Sequence, residues 1–305
     1  MYSTKCFILN VVLPVLLLAS VSAQQDVGQD LQHEMPGLHN LVRISADVYS
    51  GSEPAGEEAF ASLQELGVQT IVSVDAATPD IDLAKKHGIR YVHIPFGYDA
   101  IPQAAQLSLT HAAREVKTPL YIHCHHGKHR GPAATAIVCR VKGIVDTAGA
   151  LKIMENAGTS RDYKGLWRDV EHFAVPSDDI QLPTLVEVAK VESLAAAMAR
   201  IDRNFDNLKL CAAADWKTPV DHPDLVARQE ALQLQESLFE SSRRLAEKNH
   251  ATEYDAPFRT LLTETDTVAQ TLYKSLQANN SAAATAAFST LQKNCKQCHV
   301  KYRDE

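Results

Sequence analysis

Positive charge is nowhere concentrated in this chain of 305 residues: 30 Lys and Arg are scattered among 37 Asp and Glu, for a formal charge of −7. Without a basic stripe to neutralise a phosphate backbone, the sequence has no footprint of a nucleic-acid partner. A second long apolar run is also missing, since beyond residue 23 no stretch is apolar and long enough to span a bilayer. The one run present, Cys6 to Leu18, follows Lys5 and ends at Val21-Ser22-Ala23, ahead of the polar Gln24-Gln25-Asp26. These are the parts of an export signal cut after Ala23. An uncleaved anchor is the alternative, but the short apolar core and the small residues at the cut favour cleavage. No cysteine stands at the cut to take a lipid, so the expected mature chain is soluble and periplasmic or otherwise exported.

Cleavage removes Cys6 and leaves Cys124, Cys139, Cys211, Cys295 and Cys298. Export usually puts cysteine into disulfides, yet three of these five fall in motifs with other chemistry. Cys139 and Cys211 are left as either a bridge or two buried thiols, and the second reading is favoured.

The chain changes character along its length. Residues 24–40 are polar and aperiodic, as in a flexible arm. From 41 to 175, β-rich runs (Thr70 to Asp75, Ile89 to Ile94, Pro119 to Cys124) alternate with amphipathic segments, which predicts an α/β layer with a mostly parallel sheet. Residues 176–183 carry two prolines and turn formers and read as a linker. Four helical patterns follow, 184–210, 222–249, 256–279 and 281–305. Leu194, Met198, Ile201, Phe205 and Leu208 form a bundle seam in the first, and Phe258, Leu261, Leu262, Val268, Leu272 and Leu276 form a stripe in the third. An antiparallel four-helix bundle over 184–305 is expected.

Near the C-terminus stands Cys295-Lys296-Gln297-Cys298-His299. C-x-x-C-H is the attachment motif for haem c: two thiols add across the vinyl groups and the adjacent imidazole reaches the iron. A redox-active pair would open a helix after a strand, whereas this one closes a long helical segment. A zinc site would need a second ligand pair, and none is spaced for it. Placed on the last helix of a bundle, this ending resembles the cytochrome c′ and four-helix cytochrome b family over residues 184–305. The resemblance implies His299 as proximal iron ligand and, as in some members, a methionine from the first helix opposite it, the position of Met198. A gap-filling core residue is the other reading of Met198. Family membership also implies a periplasmic redox partner and a possible homodimer.

The other motif is His123-Cys124-His125-His126-Gly127-Lys128-His129-Arg130-Gly131, after an apolar strand and before a helix. Loop N–H groups and the helix N-terminus can cradle an anion there, Arg130 can clamp it with two prongs, and the positive field favours the Cys124 thiolate. With Val48-Tyr49-Ser50-Gly51-Ser52-Glu53-Pro54 and Leu63 to Gly67 upstream, this signature resembles the cysteine-dependent protein tyrosine and dual-specificity phosphatases. The likeness implies Cys124 as nucleophile, residues 125–130 as phosphate-binding loop, and a phosphorylated protein or small phosphomonoester as substrate. Asp99 is the candidate proton donor, with a solvated loop aspartate as the plainer reading. Gly131 stands where the family usually carries a hydroxyl that stabilises the departing thiolate. Two functions stay open: a phosphatase fused to a cytochrome, with turnover linked to haem redox state, or an electron-transfer or haem-sensor protein whose loop only binds an anion or partner. The four histidines of the loop are expected to splay apart rather than bind a metal, and to add positive potential at the rim.

Overall fold

The structure, a computed structural model, describes residues 35–246 and 254–303. The expected export signal at 1–23, most of the arm at 24–40 and the end of the second expected bundle helix lie outside the described residues.

Five short strands form one sheet: β1 (Val42–Ser45), β2 (Val48–Gly51), β3 (Thr70–Ser73), β4 (Arg90–His93) and β5 (Leu120–His123). Their order is β1-β2-β5-β3-β4, with only the β1/β2 hairpin antiparallel. Central β5 is buried along its whole length, as expected of a parallel strand covered on both faces. The connections carry α1 (Gly56–Glu65), α2 (Ile81–Lys86) and α3 (Gln103–Glu115), and α4 (Arg130–Val141), α5 (Thr147–Asn156) and α6 (Lys164–Glu171) follow β5. One cluster of buried apolar side chains holds α3 to α6 on the sheet; a second, around Phe60, Leu63, Ile71 and Tyr121, holds α1 and α2. Leu38 belongs to the second cluster and is 4% exposed. The last residues of the expected flexible arm are therefore packed, because Leu38 and Leu41 cover an apolar face that would otherwise meet water.

Four helices form the C-terminal unit: α7 (Leu194–Ala213), α8 (Ala227–Ala246), α9 (Ala256–Gln277) and α10 (Ser281–Tyr302). Their starts follow local chemistry. The side chains of Ser193, Asp255 and Asn280 accept from the N–H groups of Ala196, Phe258 and Ala283, and Pro257 sits in the first turn of α9. The expected seams are at the bundle's centre, where Ile201, Leu208, Phe258, Leu262, Leu272 and Leu276 are buried in one cluster. Cys139 and Cys211 are free, buried thiols in different cores.

One expectation fails here, since the first bundle helix begins at Leu194 rather than 184. Residues 184–193 run along the sheet edge instead, where His93 N–H donates to Val186 O at 2.9 Å and Ala189 N–H donates to His93 Nδ1 at 3.2 Å. Edge strand β4 has backbone groups to satisfy, and the β-branched Val186, Val188 and Val191 favour the extended chain that satisfies them. The preceding segment is strapped as well, with Arg114 donating to Pro176 O and His111 bonded to Pro183 O.

The two units share side chains. Leu232 of α8 is buried in the main core of the sheet domain, and Tyr273 of α9 packs against both cores. Arg228 and Tyr273 both bond Asp162, just ahead of α6. Leu232→Ala is expected to cost about 2–5 kcal/mol and to lower the urea midpoint seen by far-ultraviolet circular dichroism; an unchanged midpoint would show that the interface contributes no stability.

Candidate functional site

Parallel strands direct their carboxyl ends to one edge, and loops from β2, β3 and β5 meet there. Cys124 follows β5 directly and is 2% exposed. The next residues curl so that their carbonyls face outward: His125 O accepts from Glu53 N–H, His126 O from Asn40 Nδ2 and Lys128 O from Thr159 Oγ1. This leaves the loop N–H groups on the inner side, and none from 126 to 129 donates to another backbone group among the described residues. The tight curl needs Gly127, with φ of +70° and a missing Cβ that would come within 2.4 Å of the Gly51 backbone. A side chain at Gly131 would start 3.5 Å from the Cys124 sulfur, so this position faces the thiol.

Arg130 is 1% exposed. Its Nη2 donates to Asp75 Oδ1 at 3.0 Å, Tyr98 OH at 2.9 Å and Glu240 Oε1 at 2.6 Å, and its Nη1 donates to Phe96 O at 3.3 Å. The guanidinium carbon also lies 4.0 Å from the Tyr98 ring centre. Its Nε is buried with no partner. A buried donor left unsatisfied in this way costs free energy that an anion beside Cys124 would restore.

Asp75, just past the end of β3, is the second anchor. Burial by itself would raise its carboxyl, but the guanidinium groups of Arg130 and Arg243 overcome that and hold it well below the usual range. Arg243 donates to Asp75 Oδ2 at 3.0 Å, Glu53 Oε2 at 3.1 Å and Glu240 Oε2 at 3.2 Å. The oxygens of Glu53 and Asp75 and a ring nitrogen of His125 lie within 4.8 Å of one another. The positive charge that such a group would draw is already supplied by Arg243.

The expected splay holds only in part: His125 and His126 lean together at 4.2 Å, while His129 packs on Tyr163 at 4.5 Å and His123 bonds Tyr91 OH at 2.7 Å. The expected positive rim is not formed by most of them. Burial pushes His123 and His129 down to about 4 and lowers His126, so these three are neutral at pH 7.

Asp99 lies exposed on the loop between β4 and α3, on the wall of a cavity of about 350 Å³ that also reaches Arg130, Arg200 and Glu236. Several groups at this edge were missed by the sequence reading: Asp75, Tyr98, and Glu236, Phe239, Glu240 and Arg243 of α8. Asp75 ends an apolar strand with a charge, a detectable signal. The α8 residues carried none, because a polar helix face reads as solvated until its neighbour is known.

A second cavity, of about 470 Å³, opens inside the bundle and is lined by Cys295, Cys298, His299, Met198, Phe205 and Leu238, among others. The structure thus brings His299 and Met198 onto one cavity from α10 and α7, and both thiols are half-buried against the bundle core. Paired thiols, an adjacent imidazole and apolar walls suit a covalently held, flat apolar group.

Residues 189–303 match the Cytochrome C' family model. That family carries covalent haem c. The sheet domain is similar in structure to P. aeruginosa TpbA, at 26% identity over 46% of this chain and 92% of that one, with a TM-score of 0.39. A variant of TpbA in complex with pTyr matches at 25% identity over 50% and 94% of the two chains, with a TM-score of 0.42. The core catalytic domain of the S. cerevisiae PP-IP phosphatase SIW14, in complex with citrate, matches at 20% identity over 46% and 87%, with a TM-score of 0.39. No curated protein matches the chain. The chain thus joins a mostly parallel five-stranded sheet domain to a helical domain that matches the Cytochrome C' family model.

Glu236 marks the junction of the two, accepting from Tyr163 OH, and burial pushes its carboxyl up to about 7 from a usual 4.5. Between those values the native protein holds a proton that the unfolded chain has lost, so stability from this group falls as pH rises from about 4.5 to about 7. Glu236→Gln is expected to melt with wild type near pH 4.5 and to be more stable at pH 8, by on the order of 2–3 kcal/mol. Equal melting temperatures at both pH values would show that this carboxyl ionises freely.

Proposed function

We propose that the sheet domain is a cysteine-dependent phosphomonoesterase and that the bundle carries haem c. The observation that carries the first part is a buried guanidinium with an unpartnered Nε beside a buried thiol, inside a loop whose carbonyls are turned away. Cys124, as thiolate, attacks phosphorus; the S–P bond forms as the ester P–O bond breaks, and the leaving oxygen takes its electron pair and a proton from Asp99. Arg130 and the N–H groups of residues 125–130 hold the equatorial oxygens as charge builds there. Water then attacks the phosphocysteine, breaking S–P and releasing phosphate. Gly131 offers no hydroxyl to the departing sulfur, so this second step is slow; the same residue favours the second reading, a loop that binds an anion without turnover. Export of the chain sets both activities in the periplasm.

In the bundle, Cys295 and Cys298 would hold the haem by thioether bonds, and His299 and Met198 would be the side chains offered to its iron. Bound there, haem c supplies one-electron exchange with a periplasmic redox partner. The two domains are coupled through α8, which contributes Leu238 to the bundle cavity and Glu240 to Arg130.

Hydrolysis of p-nitrophenyl phosphate is expected for the full chain and absent from Cys124→Ser, with different rates for ferric and ferrous protein under anaerobic conditions. No hydrolysis leaves the anion-binding reading; equal rates in the two redox states leave the domains independent. Matured in a host that attaches haem c, the chain is expected to keep its haem through acid–organic extraction, and Met198→Ala to turn a low-spin iron high-spin and open it to carbon monoxide. Free extraction sinks the attachment, and an unchanged spectrum returns Met198 to the apolar seam.

A further inference from the structure

One face of α8 lies over the mouth of the phosphate loop. Glu236, Phe239, Glu240 and Arg243 are spaced three and four apart, as a single helix face requires. The shortest hydrogen bond of Arg130 goes to Glu240, 110 residues away, at 2.6 Å, and the Glu240 side chain is only 14% exposed. Glu240 is fixed in turn by Arg243, three residues on, which also ties Asp75 and Glu53 at the loop's flank. Phe239 covers His125 and His126 at ring distances of 5.7 and 6.3 Å.

Each charge in this cluster already has a partner of opposite sign. Two guanidinium groups, Arg130 and Arg243, face the carboxylates of Asp75, Glu240 and Glu53. A phosphate dianion brought to Arg130 would meet the Glu240 carboxylate on the same guanidinium, and like charges at such range repel strongly in a buried setting. Glu240 is bonded to the anion clamp itself, as a substrate oxygen would be.

We propose that α8 is a built-in plug of the phosphate loop: Glu240 takes an anion's place on Arg130 while Phe239 and Arg243 cover the rim, and an anionic ligand binds only when this face lifts. The proposal rests on the loop being an anion site. Leu238, one residue before Phe239, lines the cavity of Cys295, Cys298 and His299. A rigid helix with one side in each site can carry a displacement from the bundle to the loop, so the plug is movable from the haem side.

The test uses the full-length, haem-loaded chain, with Cys124→Ser to remove turnover and tungstate as the anion. Calorimetric binding is expected to be about tenfold or more tighter in Cys124→Ser/Glu240→Gln than in Cys124→Ser alone, the factor that loss of one competing charged hydrogen bond gives. Equal or weaker binding overturns the plug. Should the double variant fail to fold, the single variant decides, since saturating tungstate is expected to speed hydrogen exchange in the segment 236–243, and unchanged or slower exchange overturns the proposal. With Cys124 intact, Glu240→Gln is expected to raise kcat/KM for p-nitrophenyl phosphate; a fall with loss of one limb of the pH profile would make Glu240 a proton donor and not a plug. Tighter tungstate binding without turnover in any chain would uphold the plug and defeat the phosphatase reading, and turnover with unchanged tungstate binding would do the reverse.

Discussion

A guanidinium with 1% of its surface exposed must be neutralised by what surrounds it, and the edge of this protein is arranged around meeting that demand for Arg130. Removing one partner from such a group is strongly destabilising, on the order of 3–5 kcal/mol, because an uncompensated charge is left inside. Asp75 at the end of β3, Tyr98 on the loop after β4 and Glu240 on α8 each supply part of the answer, and each comes from a different stretch of chain. The motif residue thereby fixes the approach of two loops and of the whole bundle. Arg243 repeats the pattern one step outward, charged through the carboxylates of Asp75, Glu240 and Glu53 even though burial opposes its charge.

Much of this architecture could be read from the chain alone, and the parts that could not have physical causes. Alternation of β-rich and amphipathic segments locates β3, β4 and β5 to within a residue or two, because their buried faces must be apolar, whereas β1 and β2 were not read as strands. The bundle seams were visible for the same reason. The segment 184–193 misled, since its mixture of Leu, Val and Glu suits a helix as well as a strand, and only the unpaired edge of β4 decides between them. Cys124, Arg130 and the pair Cys295 and Cys298 stood out because their spacing encodes local geometry. Glu236, Glu240 and Arg243 did not, as their roles depend on neighbours 73, 110 and 168 residues distant. His123, His126 and His129 were misjudged on charge for a related reason: their neutrality follows from burial that the sequence does not display.

The bundle is more than a second domain on a tether. Residues 176–193 are strapped along the sheet by Arg114, His111 and His93, and Leu232 and Tyr273 join the two cores. The cavity beside His299 and the loop beside Cys124 are therefore opposite sides of one helix rather than ends of a flexible link.

Because α8 serves both sites, its register is set twice over. Each residue advances a helix by about 100°, so a single insertion between Leu232 and Glu240 would rotate Glu240 off Arg130 while keeping Leu232 in place, or the converse. No loop within that stretch can absorb the change. A change of register made for one half of the protein is thus felt in the other along these nine positions.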